Sequence, residues 1–252
     1  MRLLFWDLET ALAQVGTFSL WERGGLRIPH ENILSEGYIV CASWKWAGEK
    51  KVHSVATTDR AANYKKNPHD DTFVVKTLYN VLLQADVLVA HNGDQFDTKY
   101  FATRALAAGL PPLPPIPSVD TLKVAKSRFR FTSNRLAYLG PFLGLGEKLH
   151  TSPGLWMRVL RGDRTAVEEM RRYNKQDVLL LEAVFEKLRP FVKLSTVSAD
   201  PGECPRCGGA NLQRRGVFRT AAREYQRFQC TSCGGWLKAV KAETTDKRAR
   251  VL

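Results

Sequence analysis

Long apolar runs are missing from this sequence, and no stretch is long enough to cross a bilayer. The N-terminus lacks the basic, apolar and small-residue order of a secretory signal, and the chain has neither an internal repeat nor a low-complexity tract. These absences exclude a membrane-spanning protein and a repeat architecture. They predict a cytoplasmic or nucleoid-associated protein that is not secreted and has no membrane partner.

Acidic residues are in short supply. The 252 residues include 38 Lys or Arg against 25 Asp or Glu, a formal net charge of +13. Such a balance favours a polyanionic partner, above all nucleic acid, although a basic surface with no such role is the alternative. The hydrophobic content of 44% is enough to bury a full core in one large domain, with or without a small appendage.

Cysteines are few and unevenly placed. Cys41 stands alone in an apolar stretch and is interpreted as a small buried hydrophobe. The other four form two C-x-x-C pairs separated by 22 residues, namely Cys204 with Cys207 and Cys230 with Cys233. This spacing is typical of one structural Zn²⁺ held by four thiolates, and glycines after each pair can adopt the positive φ that tight knuckles need. Disulfides are the alternative, which a reducing compartment disfavours.

Composition also predicts where the domains lie. A Ser-, Asp-, Pro- and Gly-containing stretch precedes the cysteine pairs. We therefore expect a large domain at 1–195, a linker at 196–203, a zinc ribbon at 204–240 and a basic tail at 241–252. The ribbon has few large apolar residues, so its folding should depend on its metal. The segment "LPPLPPIP", Leu110–Pro117, is interpreted as a stiff connector or, second, as a ligand for a proline-binding domain.

Strand and helix patterns alternate within the large domain. Strands are predicted at "RLLFWDLET", "GYIVCASWKWAG", "KKVHSVAT", "ADVLVAHNG" and "SVDTLKVA", and helices at "DTFVVKTLYNVLLQ", "TKYFATRALAAGL", "SNRLAYLGPFLG" and "RTAVEEMRRYNKQDVLLLEAVFEKLR". Thr165 and Glu168 fit a capping box at the start of the last helix, with Asp163 just outside it. Three antiparallel strands followed by β/α units predict an α/β fold with a mixed sheet flanked by helices.

The first strand carries two acids among its apolar residues. Because side chains alternate on a strand, Asp7 and Glu9 project from the same face as Phe5. Burial of an ionised carboxylate costs several kcal/mol unless a positive group compensates it. The pair therefore indicates a shared cation, with solvent exposure on an edge strand as the alternative.

Two later segments supply further polar groups. Asp97 follows a buried strand, at the kind of strand end where α/β domains build their sites, although it can also cap the next helix. Tyr173 and Asp177 are four residues apart on the last helix and share one face, which is equally compatible with a solvated helix margin. Together the four carboxylates suit Mg²⁺ or Mn²⁺, two of which can clamp the oxygens of a phosphoryl transfer.

The segments "FWDLET", "NGDQFD" and "YNKQD" resemble the three motifs of the DEDD superfamily of 3′-5′ exonucleases, in the subgroup whose third motif carries tyrosine. The second motif is most similar to that of the proofreading domains of family B DNA polymerases. The resemblance covers roughly residues 1–190 and implies a ribonuclease H-like fold. A polymerase domain does not fit in this chain, so the activity would either proofread in trans or serve another purpose.

The resemblance also implies roles for individual residues. Asp7 would bridge two Mg²⁺ or Mn²⁺ ions, Glu9 and Asp177 would complete the tighter site, and Asp97 would serve mainly the second ion. Tyr173 would orient the attacking water with Glu9. The reaction would hydrolyse the terminal phosphodiester at a 3′ end and release nucleoside 5′-monophosphates.

Weaker assignments concern nucleic-acid contacts. Asn92 and Phe96 would lie near the terminal nucleotide, and Lys148 is expected near a phosphate or in a solvated loop. Asp120 is expected either beside the acids or as a helix cap. Ribbon arginines, including Arg214 and Arg215, are expected to hold phosphates, although the ribbon could instead dock a replication or repair protein.

Three functions follow from these patterns. The favoured one is a metal-dependent 3′-5′ exonuclease that acts mainly on single-stranded DNA or frayed 3′ ends. The second is an exoribonuclease of the same chemistry, since contacts to a 2′-hydroxyl are not visible in a sequence. The third is a non-catalytic nucleic-acid-binding or assembly protein, which the full set of four acids and a tyrosine disfavours.

Overall fold

A computed structural model describes residues 2–19, 25, 27–147, 149, 151–192, 202–205, 207–220 and 223–239. Three features expected from the sequence lie outside these residues: Lys148, most of the linker at 196–203, and the tail at 241–252. Within the described part, no helix combines the length and apolar character that a membrane span requires.

The chain alternates strands and helices in the order that the sequence predicts. The strands are β1 Leu3–Thr10, β2 Gln14–Val15, β3 Ile33–Ser35, β4 Ile39–Trp46, β5 His53–Ala56, β6 Val87–Ala90, β7 Ser118–Asp120, β8 Leu212–Arg219, β9 Glu224–Cys230 and β10 Trp236–Lys238. The helices are α1 Ala61–Lys66, α2 Thr72–Leu82, α3 Asp97–Ala107, α4 Thr121–Arg128, α5 Leu136–Phe142, α6 Leu155–Leu160 and α7 Arg164–Leu188.

The main sheet has five strands in the order β5-β4-β1-β6-β7. Strands β1, β4 and β5 pair antiparallel as a meander, whereas β6 and β7 add parallel to β1. This is the predicted mixed sheet. The two-stranded hairpin of β2 and β3 was not predicted, because its strands are too short to show a periodic pattern.

Alternating side chains of β1 build a core on each face of the sheet. Leu4 and Trp6 pack with α2 and α3, and Trp6 meets the edge of Phe101 at a centroid distance of 6.4 Å. Leu3 and Phe5 pack with α4, α5 and α7 on the other face. Because Phe5, Asp7 and Glu9 share that second face, the acids of β1 point toward α7.

The position of β1 rules out the alternative that Asp7 and Glu9 sit on a solvated edge strand. Strand β1 lies between β4 and β6 at the centre of the sheet. Its pairing with β6 covers only Leu3 to Phe5, whereas its pairing with β4 continues to Thr10. The C-terminal half of β1 therefore has a strand on one side only, and this leaves room for other groups beside Asp7 and Glu9.

Two helix starts differ from their predictions. Asp163, not Thr165, is the N-cap of α7, since its side chain accepts hydrogen bonds from the N–H groups of Thr165 and Ala166. The predicted capping box is wrong because Glu168 instead accepts a hydrogen bond from Thr58. The predicted strand "SVDTLKVA" ends after three residues, because Asp120 caps α4 directly.

The proline-rich segment Leu110–Pro117 forms no helix or strand. Its apolar residues Leu110, Leu113 and Ile116 pack against the core on the α2 and α3 side of the sheet. The segment is therefore a connector fixed along the core, which agrees with the first of the two interpretations given above.

The C-terminal residues form a separate three-stranded antiparallel sheet in the order β10-β9-β8. The register of β8 against β9 shifts between Arg214 and Val217, where β8 contains an irregularity of the β-bulge kind. We call residues 202–239 the C-terminal ribbon.

Candidate active site and cysteine cluster

Three of the predicted acids lie together between β1 and α7. Carboxylate oxygens of Asp7, Glu9 and Asp177 lie within 4.8 Å of one another. Asp177 is buried, and Asp7 and Glu9 are half-buried. Tyr173 lies one turn before Asp177 on α7 and is also half-buried. Strand and helix periodicities predict that Asp7 and Glu9 share one face and that Tyr173 and Asp177 share another, and the structure places these two faces opposite each other.

Asn174 is a member of this site that sequence reasoning missed. Its Nδ2 donates a hydrogen bond of 2.6 Å to Oδ2 of Asp7, and the residue is fully buried on α7. Asparagine within an amphipathic helix normally faces solvent, so a buried asparagine needs a polar partner. Its position next to Tyr173 in the third motif was the available signal, but the register of α7 against β1 was needed to interpret it.

Asp97 occupies a different position from the other three acids. Its Oδ1 accepts a hydrogen bond of 3.2 Å from the N–H of Leu8, in the half of β1 that β6 does not cover. The alternative that Asp97 serves as the N-cap of α3 is wrong, since α3 begins at Asp97 and its N-cap residue is Phe96, with no side-chain hydrogen bond. Asp97 thus completes the hydrogen bonding of β1 between Asp7 and Glu9 and lies outside the cluster of three.

Burial perturbs the acidity of Asp97. Its side chain is almost fully enclosed, and this desolvation raises the pKa to about 7, with a further upward contribution from the nearby charge of Asp120. The N–H of Leu8 opposes the shift by stabilising the ionised form. A cation near Asp97 would restore its charge, which fits a metal-binding role.

The turn after β6 holds Asn92 and Phe96 close to Asp97. Asn92 has a φ of 68°, and its N–H donates to Oδ1 of Asp120 at 2.9 Å. Asp120 thereby joins this turn to the start of α4 and caps that helix, which is the second of its two expected roles. A Cβ on Gly93 would lie 2.3 Å from Cβ of Ala90, so only glycine fits the turn. Phe96 is 42% exposed and lies beside Tyr100.

The three-acid cluster has the donor set of a hard divalent cation. Carboxylate oxygens are the ligands that Mg²⁺ and Mn²⁺ prefer, and partly exposed carboxylates leave positions for water and phosphate. A cation held between three close carboxylates would relieve their mutual repulsion, so the residues present fit a bound cation.

The four cysteines of the C-terminal ribbon lie at the corners of a compact cluster. Sγ of Cys204 is 3.8 Å from Sγ of Cys233, and Sγ of Cys207 is 3.6 Å from Sγ of Cys230. A tetrahedron with Zn–S bonds of about 2.3 Å has edges of about 3.8 Å. The observed spacing fits such a metal and is too long for the alternative of disulfides, whose S–S bond is about 2.05 Å. All five cysteines of the chain are free.

The two C-x-x-C knuckles have matching backbone geometry. Gly208 and Gly234 each have a φ of 71°, as predicted for the glycines that follow the pairs. Their N–H groups donate to the carbonyl oxygens of Cys204 and Cys230, both at 2.8 Å. Burial raises the pKa of the Cys207 thiol to about 12, whereas hydrogen bonds from backbone N–H groups and neighbouring thiols outweigh burial at Cys230 and lower its pKa to about 7. The cluster is consistent with a zinc ribbon.

Cys41 is buried in the sheet directly opposite Glu9, as expected of a small hydrophobe. Burial and, second, the charge of Glu9 raise the pKa of its thiol well above the usual range. A thiol of this kind stays protonated and takes no part in either cluster.

The two arginines predicted to hold phosphates lie on opposite faces of the ribbon sheet. Arg214 pairs with Phe228, whereas Arg215 donates a hydrogen bond of 2.8 Å to Gln213 on the other face. Both side chains are exposed. The alternation of side chains along a strand predicts that neighbouring residues such as Arg214 and Arg215 lie on opposite faces. It does not predict which face carries the aromatic residues.

Comparisons with known proteins agree with this architecture. No curated protein sequence matches the chain. Among solved structures, the family B DNA polymerase from the hyperthermophilic archaeon Pyrobaculum calidifontis is similar, with a TM-score of 0.53 and 18% sequence identity over 75% of this chain. The match spans 24% of that polymerase, and at this identity it shows a shared fold.

A family model provides the assignment. The model described as the RNase H superfamily matches residues 43–189, a range that includes Asp97, Tyr173 and Asp177 and begins after Asp7 and Glu9. The match covers more than half of the sequence and coincides with most of the five-stranded sheet and its helices. The chain therefore belongs to the RNase H superfamily.

Proposed function

We propose that this protein is a divalent-metal-dependent 3′-5′ exonuclease that shortens single-stranded DNA or frayed 3′ ends and releases nucleoside 5′-monophosphates. Membership of the RNase H superfamily supports a nuclease in general and hence a nucleic-acid substrate. The observation that carries the finer proposal is the convergence of Asp7, Glu9 and Asp177 within 4.8 Å, beside Tyr173. These residues are those of the tyrosine-type exonuclease motifs.

Each residue has a role that follows from its position. Asp7 and Glu9 offer oxygens from a rigid central strand, and Asp177 faces them from α7, so these three would hold the tighter ion. Asp97, held by the N–H of Leu8, would serve mainly the second ion. When bound, Mg²⁺ or Mn²⁺ would acidify the attacking water and stabilise the charge on the phosphoryl oxygens.

Residues around the acids would position the substrate. The Tyr173 hydroxyl and the Glu9 carboxylate would orient the attacking water between them by hydrogen bonding. The ring of Phe96, 42% exposed at the rim of the site, would pack against the terminal base, and Asn92 would lie on the same turn. The excess of positive charge favours approach of the polyanionic strand.

We also propose that the cysteine cluster holds one structural Zn²⁺ and that residues 204–240 form a zinc ribbon separate from the exonuclease domain at 1–195. The short Sγ–Sγ distances and the paired knuckles support this assignment. Such a small sheet gains most of its folding free energy from the metal, because its strands are largely exposed.

The test compares wild-type protein with the Asp7→Asn variant on a single-stranded DNA carrying a 5′ label and on an RNA of the same sequence. With Mg²⁺ or Mn²⁺, we expect the wild type to give a ladder of shortened labelled strands, and the variant to be slower by about 10²-fold or more, because a lost ligand disrupts the ion site. The matched control is Asp86→Asn, which changes an exposed acid at the other end of the sheet and should leave the rate unchanged.

The possible results separate the alternatives. Faster shortening of the RNA than of the DNA would favour the exoribonuclease. Release of the 5′-labelled nucleotide at the start of the reaction would show that degradation runs from 5′ to 3′. Cleavage of a circular single strand would indicate an endonuclease. If both linear strands stay intact, or if Asp7→Asn cuts as fast as the wild type, the proposed mechanism is wrong.

A further inference from the structure

One face of the ribbon sheet carries aromatic and cationic side chains in alternation. Residues directly opposite one another on antiparallel strands share a face. Tyr225 faces Phe218, and Arg227 faces Lys238. Trp236 lies opposite Gln229, which shares its face with Tyr225 and Arg227 by alternation along β9. We call Phe218, Tyr225, Arg227, Trp236 and Lys238 the aromatic–cation face.

Contacts among these side chains confirm that they form one continuous surface. The guanidinium of Arg227 lies 4.8 Å from the ring centroid of Trp236. Nζ of Lys238 lies 4.5 Å from the ring of Tyr225 and 5.3 Å from that of Phe218. Each cation therefore lies in direct contact with at least one ring. A ligand on this face would contact both kinds of group at once.

The surface is open to a ligand. Trp236 is 47% exposed and Phe218 is 42% exposed, whereas rings of this size are usually buried in a sheet core. The Nε of Arg227 donates a hydrogen bond of 2.7 Å to the carbonyl oxygen of Arg215, so its guanidinium is held in place. An ordered guanidinium beside an exposed indole loses little side-chain entropy when it binds.

The charge of the three strands identifies the chemistry of the ligand. Strands β8, β9 and β10 contain Arg214, Arg215, Arg219, Arg227 and Lys238 but only one acidic residue, Glu224. Glu224 pairs with Arg219 and lies on the opposite face from Tyr225. The aromatic–cation face thus bears positive charge, and the one acid of these three strands lies on the opposite face.

We propose that the aromatic–cation face binds single-stranded nucleic acid, with phosphates at Arg227 and Lys238 and bases stacked on Trp236, Phe218 and Tyr225. Exposed rings interleaved with cations match an alternation of flat bases and anionic phosphates. In a duplex the bases are already stacked on one another, so they cannot reach these rings. The inference extends the proposed exonuclease with a second contact to its strand, but the binding itself does not require cleavage.

The experiment measures binding of a 5′-fluorescein oligothymidylate by anisotropy, with zinc-loaded full-length protein at several salt concentrations and without added Mg²⁺ or Mn²⁺. We expect Trp236→Leu to raise Kd about tenfold, because one stacked base is lost. Trp236→Phe, which keeps a ring, should restore most of the affinity. Arg227→Ala should weaken binding and lower the slope of log K against log salt by about 0.7, the value for one lost phosphate contact on a single strand.

The matched control is Lys76→Ala, which removes an equal charge from an exposed position on α2 and should change Kd by less than about twofold, since screened charges act weakly at a distance. Bound zinc is measured in every variant. If Trp236→Leu loses its zinc, Lys238→Gln is used in its place. The inference is overturned if the changes on the aromatic–cation face leave Kd unaltered, if Lys76→Ala weakens binding as much as Arg227→Ala, or if a duplex binds as tightly as the single strand.

Failure of this inference is distinguishable from failure of the proposed function. If the aromatic–cation face binds but the acids do not cut, the wild type and the Asp7→Asn variant bind equally and neither shortens the strand. If the acidic residues cleave the strand but the aromatic–cation face does not bind it, variants of that face have the wild-type Kd. They then also shorten a short strand, supplied at saturating concentration, at the wild-type rate.

Discussion

Asn174 shows how a single side chain links the two halves of the candidate site. It belongs to α7, which carries Tyr173 and Asp177, and its amide donates to Asp7 on β1, a residue 167 positions earlier in the chain. An acidic ligand held by a neutral donor keeps its negative charge and a fixed orientation. Asn174 is therefore interpreted as a positioning residue for Asp7, not as a ligand itself.

We predict that Asn174→Ala reduces exonuclease activity about 10- to 100-fold and raises the Mg²⁺ concentration needed for half-maximal rate, because loss of a hydrogen bond behind a ligand weakens both orientation and metal affinity. Rates are measured over a range of Mg²⁺ concentrations. Asn80→Ala provides the control, since it makes the same change on an exposed part of α2. A purely structural role would instead lower thermal stability without shifting the Mg²⁺ requirement.

Helix α7 is the element on which most of the site depends. It packs against β1 through a stripe that includes Val178, Leu181 and Phe185, and against β4 through Met170. The ring of Phe185 meets the edge of Phe5 at 5.3 Å, two residues from Asp7 on the same face. Packing of the apolar stripe therefore fixes the rotation of α7 about its axis and its distance from the sheet. It thereby fixes the positions of Tyr173, Asn174 and Asp177.

The start of α7 gives a pH-dependent prediction. Hydrogen bonds from Thr165 and, next, from Arg158 lower the pKa of Asp163 to about 2. A carboxyl group whose pKa is lower in the folded state adds stability above its unfolded pKa of about 4, and this stability is lost as the pH falls toward 2. We expect Asp163→Ala to have a Tm lower by about 2–4 °C at pH 7, and the difference from wild type to shrink as the pH falls from about 4 through 2.

Thermal unfolding at pH 7, 4 and 2 measures this difference. The control is Asp86→Asn, whose exposed carboxyl caps no helix in the described structure. A difference in Tm between Asp163→Ala and wild type that stays constant down to pH 2 would show that the charge of Asp163 does not stabilise α7.

For the whole molecule, the main prediction concerns the independence of the two sheets. The double variant Cys204→Ser, Cys207→Ser should lose the zinc, about one ion per chain, that we expect in the wild type. The five-stranded domain has its own core and should unfold at an unchanged temperature, while affinity for a single strand falls. Metal analysis, thermal unfolding and anisotropy test the three parts of this expectation.

Cys41→Ala is the matched control for that experiment. It removes a buried thiol from the main sheet and should leave the zinc content unchanged. Wild-type protein without zinc would contradict the assignment of the cysteine cluster. A double variant in which the five-stranded domain also unfolds would contradict the proposed division at residues 196–203.

Features governed by local geometry were predictable from the sequence. Side-chain alternation on β1 placed Asp7 and Glu9 on one face, and helical spacing did the same for Tyr173 and Asp177. The positive φ of Gly208 and Gly234 followed from the tight turn that each C-x-x-C pair must make. The mixed sheet followed from the order of strand and helix patterns, because short connections restrict the topology.

Only the tertiary structure decided contacts between segments that are distant in the chain. The bond from Asn174 to Asp7 depends on the rotation of α7 over the sheet. Asp97 accepts from Leu8, instead of capping α3, because β6 ends early beside β1. The place of Phe218 opposite Tyr225 on the aromatic–cation face depends on the register shift in β8. Such contacts are set by packing and strand register, which no single local pattern contains.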